Sequence, residues 1–60
     1  MTTVVRGTGA TILVVDDEEG VRSSLKGILE DEGYRVLLAE DGERTLQLLE
    51  EETPDLVLLD

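Results

Sequence analysis

Three short apolar runs divide this chain, with two stretches of helical periodicity between them. The first run, Ile12-Leu13-Val14-Val15, is continuous, mostly β-branched, and stops abruptly at acid. A run without alternation suggests a strand buried on both faces, as in a parallel sheet. From about Glu18 to Glu32, the residues Val21, Leu25, Ile28 and Leu29 recur at i, i+4, i+7 and i+8. That is one stripe of a helix, with Arg22, Lys26 and Glu30 outside it. Gly33 follows as the C′ residue, where a left-handed backbone suits glycine. Gly20 and Gly27 each weaken the helix by up to about 1 kcal/mol relative to alanine, so packing must hold it.

Tyr34 to Ala39 reads as a second strand, more mixed in character and so nearer an edge. Asp41-Gly42 opens a second helix with Asp41 as its N-cap. Its apolar positions are Leu46, Leu48 and Leu49, and Glu50-Glu51-Glu52 close it. An acidic C-terminus opposes the helix dipole, so this end is expected to fray. Pro54 prevents continuation. Leu56-Val57-Leu58-Leu59 is the third apolar run, again ending in acid at Asp60. The order β-α-β-α-β with short connections means an α/β fold with parallel strands, right-handed crossovers and helices on both faces. Residues 1–10 read as a flexible leader. The fold is expected to be unfinished at the third strand, because no helix follows to cover the next face.

Composition narrows the picture. Sixty residues is less than an ordinary domain, and neither cysteine nor histidine is present to supply a disulfide or a structural zinc. Fifteen acidic residues against five basic ones leave a formal charge of −10. That balance argues against direct binding of nucleic acid or an anionic membrane, and suits cations or a basic partner. With 40% hydrophobic residues in ordered runs, the chain is not a disordered acidic tail. No apolar run approaches a bilayer-spanning length, and the N-terminus lacks the apolar core of a signal peptide. A cytoplasmic protein is expected.

In open parallel sheets, ligands bind beyond the carboxyl ends of the strands, where the strand order reverses. This chain places Asp16, Asp17, Glu18 and Glu19 after the first strand and Asp60 after the third. If the order is 2-1-3, strands one and three are neighbours at roughly 4.8 Å, and Asp16, Asp17 and Asp60 crowd one pocket. If the order is 3-2-1, strand two separates them and no shared site forms. The sequence does not choose between these. Three crowded carboxylates repel unless a cation sits among them. All-oxygen ligands suit a hard ion, and few protein ligands with room for water and phosphate favour Mg²⁺ over Ca²⁺. A carboxylate beside such an ion can act as a nucleophile towards phosphorus.

Each feature also has a plain structural reading. Acids before a helix serve N-capping and the dipole. Asp60 can be any polar residue leaving a strand, Asp41 a simple cap, Glu50 to Glu52 a solvated helix end, and Tyr34 a packing residue. The combination of two acids after the first buried strand and another after the third favours a site. Rival sites fit poorly. The turn after the first strand is acidic where a dinucleotide-binding turn needs glycine, Gly7 and Gly9 precede the strand, and no Walker A loop or Ser-His or Cys-His pair exists.

Thr11-Ile12-Leu13-Val14-Val15-Asp16-Asp17-Glu18, Gly33-Tyr34-Arg35-Val36, Ala39-Glu40-Asp41-Gly42 and Pro54-Asp55-Leu56-Val57-Leu58-Leu59-Asp60 together resemble receiver domains of bacterial two-component response regulators. The Arg22-containing helix looks most like regulators of the nitrogen-regulation type. The resemblance covers nearly everything after residue 10, and only the N-terminal half of such a domain. It implies a flavodoxin-like sheet of order 2-1-3-4-5, which would place strands one and three side by side. It implies a phosphoacceptor and not an enzyme, with Asp60 as acceptor, Asp17 ligating Mg²⁺ directly and Asp16 acting through water. The implied donor is a phosphohistidine on a sensor histidine kinase or phosphotransfer protein. The family also uses a Ser/Thr ending strand four, a Lys ending strand five and the backbone carbonyl after the acceptor, none of which these sixty residues contain. The segment alone is therefore expected to be inactive, partly disordered at low concentration and self-associating through its Leu56–Leu59 edge at high concentration. The competing reading is a degenerate interaction module that uses that edge for a partner or for itself.

Overall fold

The computed structural model describes residues 9–59. Its elements are β1 (Thr11–Val15), α1 (Glu19–Asp31), β2 (Arg35–Ala39), α2 (Gly42–Glu51) and β3 (Leu56–Leu59). All three strands are parallel, in the order β2-β1-β3. This is the α/β arrangement expected for the first three strands of a flavodoxin-like sheet, and it rejects the 3-2-1 alternative. β1 is the centre: Leu13 pairs with Leu37 on one side and Val57 on the other, and Val15 with Ala39 and Leu59.

Each strand is apolar enough to be internal, but only β1 is fully enclosed. Ile12, Leu13, Val14 and Val15 are all buried, as an apolar run without alternation predicts. Successive side chains point to opposite faces. Leu13 and Val15 gather with Ala39 and Leu48 on the face covered by α2, and Leu37 packs against that cluster. The two crossovers run in opposite directions from β2, so their right-handedness puts α1 on the other face. There Ile12 and Val14 are 3% and 1% exposed.

The helices differ from the expectation in rotation and not in extent. α1 turns Arg22, Leu25, Lys26 and Leu29 to intermediate burial and leaves Val21 and Ile28 exposed. Its apolar stripe therefore straddles the contact with β1 and β2, and the aliphatic stems of Arg22 and Lys26 share the inner side. In α2 only Leu48 is buried, while Leu46 and Leu49 stand exposed. In β3 one face is left uncovered, as the lack of a following helix leads one to expect: Leu56 and Leu58 are half-buried, and Val57 and Leu59 are exposed.

Local chemistry ends the elements where the sequence places the signals. Gly33 has φ +95°, its N–H donates to the Glu30 carbonyl at 3.0 Å, and the Tyr34 N–H donates to Leu29 at 3.1 Å. That pair of bonds is a Schellman motif with glycine at C′. Asp41 caps α2 through a bond from the Arg44 N–H to Oδ1 at 2.8 Å. The acidic end of α2 stays helical to Glu51, where the Glu52 N–H donates to Leu48 at 2.7 Å and the Glu52 carboxylate meets Arg35 of β2 at 3.3 Å. Asp55 ties the start of β3 to β1 twice, with its N–H donating to the Thr11 carbonyl and its Oδ2 accepting from the Thr11 N–H, both at 2.7 Å. Of the expected leader, Gly9 and Ala10 are described. They run beside the turn into β2, with Gly9 N–H donating to Gly33 and Arg35 N–H to Ala10.

Candidate functional site

The chain leaves the sheet at Asp16, whose N–H makes a bond of 3.1 Å to the Ala39 carbonyl of β2. Its side chain then turns the backbone: Oδ1 accepts from the Glu18 N–H at 2.9 Å, an Asx turn. Its carbonyl oxygen accepts from Nη1 of Arg22 at 2.7 Å. Asp16 is half-buried, and Asp17 and Glu18 are exposed beyond it. One carboxylate oxygen from each of Asp16, Asp17 and Glu18 lies within 4.8 Å of the others.

Capping does not account for these acids. Glu18 occupies the N-cap position of α1, with φ −100° and ψ 119°, but its side chain makes no cap hydrogen bond. Asp16 bonds to the loop and not to the first turn of the helix. The contrast with Asp41, whose carboxylate does cap its helix, is direct. The dipole of α1 still favours negative charge at this end. A set of closely spaced, outward-facing carboxylate oxygens has the donor chemistry of a hard divalent cation, with room for water to complete the shell. The residues present therefore fit magnesium.

The sequence-based metal set was Asp16, Asp17 and Asp60. The structure brings Asp16 and Asp17 together and adds Glu18, which that set omitted although it adjoins them. Asp60 lies outside the described residues. The strand leading to it is beside β1, since Leu59 pairs with Val15, the residue before Asp16. Arg22, read from the sequence as lying outside the apolar stripe, bonds instead to the site's own backbone. An arginine six residues after Asp16 was the available signal, but only the fold shows which atom it reaches. The plain reading of Asp41 as a helix cap is correct. Among the described residues, no helix is long and apolar enough to cross a membrane.

Comparison with known proteins bears on the whole described sheet. The family model for the response regulator receiver domain matches residues 12–60. Over 49 residues, 82% of this chain, it is 53% identical to the alkaline phosphatase synthesis transcriptional regulatory protein PhoP of Bacillus subtilis. Over the same share it is 51% identical to the response regulator MprA of Mycolicibacterium vanbaalenii and 51% to the transcriptional regulatory protein CpxR of Escherichia coli. The chain covers 20% of the first and 21% of each of the others, so it spans about a fifth of the length of these relatives. These names do not bear on the likeness to nitrogen-type regulators, which stays a resemblance.

Proposed function

This chain belongs to the response regulator receiver domain family, and from that premise we propose that it accepts a phosphoryl group on Asp60 from a phosphohistidine of a sensor histidine kinase or phosphotransfer protein, with Mg²⁺ held by Asp16, Asp17 and Asp60. Receiver domains are generally phosphoacceptors and not enzymes, and they bind Mg²⁺ at an acidic cluster. The observation that carries the reading here is the site at the carboxyl end of β1. Three carboxylates converge there without being used as caps, next to the strand that runs towards Asp60.

In this reading a carboxylate oxygen of Asp60 attacks phosphorus. The new P–O bond forms as the P–N bond to the donor imidazole breaks, and the imidazole nitrogen leaves with the electron pair and takes up a proton. The bound Mg²⁺ supplies neutralisation of charge on the transferred group. Asp17 would hold the ion directly and Asp16 through water, and Glu18 would lend further negative charge at the loop. Transfer is proposed to need, in addition, a hydroxyl residue and a lysine from two further strands of the family's sheet. A charge of −10 makes nucleic acid and anionic membrane unsuitable partners for this segment, and a cytoplasmic setting is proposed for it.

With the sheet completed by two such strands, acetyl phosphate plus Mg²⁺ is expected to label Asp60 as a hydroxylamine-sensitive acyl phosphate. Label that persists in Asp60→Asn would overturn the assignment. Asp17→Ala is expected to weaken Mg²⁺ binding more than Asp16→Ala.

A second reading rests on a separate observation. Val57 and Leu59 are 39% and 74% exposed on a strand that, among the described residues, pairs on one edge only. An apolar strand with an open edge is a template for strand pairing. A rise in mass with concentration in the absence of metal would favour an interaction module.

A further inference from the structure

Arg22 is the cationic side chain that reaches the acid loop, and it does not use its charge as expected. It sits in the first turn of α1, a few residues from Asp16, Asp17, Glu18 and Glu19. Among the described residues it makes no ion pair, the two present being Lys26–Glu30 and Arg35–Glu52. Its Nη1 donates instead to the backbone carbonyl of Asp16, a part-buried bond of 2.7 Å. A guanidinium drawn simply to the nearest negative charge would have taken a carboxylate. By taking the carbonyl it forms no ion pair with any of the three carboxylates, and that of Asp16 is bonded only to the Glu18 N–H of its own loop.

That carbonyl is the hinge of the site. Asp16 is held to β2 by its N–H and to Glu18 by its side chain. Without a third tie, the peptide plane joining Asp16 to Asp17 could rotate about the Asp16 Cα. The Asp17 side chain would swing with it. The bond from Arg22 fixes that plane to the first turn of α1, and a charged donor makes it stronger than a neutral hydrogen bond. The rigid fork of arginine suits the task better than the flexible ammonium of lysine.

We propose that Arg22 is a positioning residue for divalent-cation binding: through the Asp16 carbonyl it sets the direction in which Asp17 and Glu18 present their oxygens. The inference rests on the magnesium reading above. It also makes a prediction of unusual sign. Removing a positive charge beside a cation site strengthens cation binding by Coulomb attraction alone, whereas removing a positioning contact weakens it.

The test is Mg²⁺ titration of the full chain, followed by the backbone amide resonances of residues 16–19, for wild type, Arg22→Met and Arg22→Lys. Loss of a group that orients metal ligands commonly costs about 10–100-fold in affinity. In this exposed loop Arg22→Met is expected to raise the Kd about tenfold, the low end of that range. Arg22→Lys is expected to recover part of the loss. Amide exchange at Asp17 and Glu18 quickens in Arg22→Met without Mg²⁺, while residues 12–15 stay protected. Equal or tighter Mg²⁺ binding by a folded Arg22→Met chain, with unchanged loop exchange, would overturn the proposal. If that variant loses protection in β1, Arg22→Gln is read for the same two outcomes. A wild type whose residues 16–19 show no saturable response to Mg²⁺ would defeat the magnesium reading. Loop exchange in the variants then still decides whether Arg22 holds the Asp16 peptide.

Discussion

The two flanks of β1 are built from similar residues and are buried very differently. β2, Arg-Val-Leu-Leu-Ala, looks the less hydrophobic of the two, yet it lies beneath both helices and ends at Ala39, 1% exposed. β3, Leu-Val-Leu-Leu, is apolar throughout, yet it leaves Leu59 74% exposed. Both pair with β1 residue for residue. What separates them is which strand the helices lie on: α1 packs on β1 and β2, and α2 on β2. Burial along a strand is thus a property of its cover. A hydrophobic run shows what a strand can tolerate on its faces, and the connections decide what it receives.

Leu13 is fully buried at the junction of the two flanks, and Leu13→Ala is expected to cost about 2–5 kcal/mol. In so small a sheet that is expected to abolish any cooperative unfolding transition, a test made by thermal melts followed by circular dichroism. A retained transition would mean that the Leu13 cluster is not what holds the sheet.

On the β2 flank, Gly33 at φ +95° lets α1 turn directly into the strand. Gly33→Ala is expected to destabilise by roughly 1–2 kcal/mol, read as a lower urea midpoint, with β2 amides losing protection before those of β3. Loss from β3 first would show that the two flanks are not separately anchored.

On the β3 flank, Asp55 makes the side-chain tie to Thr11. Asp55→Ala removes one exposed hydrogen bond, about 0.5–1.5 kcal/mol, and is expected to speed hydrogen exchange in residues 56–59 while sparing 35–39.

The smallest effect belongs to the uncovered face. Leu59→Ala is expected to change stability by less than about 0.5 kcal/mol. A cost approaching that of Leu13→Ala would show that the outer flank is covered in solution, and would favour the self-associating reading.

Much of this was legible along the chain. The five elements fall within a residue or two of where their patterns end them. Gly33 and Asp41 perform the terminal roles assigned to them, because a C′ glycine and an N-cap carboxylate act on backbone groups no more than a few residues away. The acids of the candidate site were legible as residue types at strand ends, and so was Asp17 beside Asp16. Glu18 was passed over because only the folded loop shows that its oxygen comes within 4.8 Å of the other two. Arg22 falls outside the helical stripe, because such a stripe counts apolar residues and is blind to a guanidinium that folds back to a carbonyl.

The alternation of strand and helix, the start and stop of each element, and the chemistry at the carboxyl ends of the strands can all be read along the chain alone. These follow from interactions within a turn or two of chain, and their geometry is set by covalent structure. Tertiary structure alone decided that β1 lies between β2 and β3, that Val21 and Ile28 roll outward on α1, and that the Arg22 guanidinium reaches the Asp16 carbonyl. An apolar side chain gains from leaving water whichever neighbour receives it, so its free energy of burial names no partner. The partner is chosen by the crossovers and by the competition of all the elements for the same two faces of the sheet.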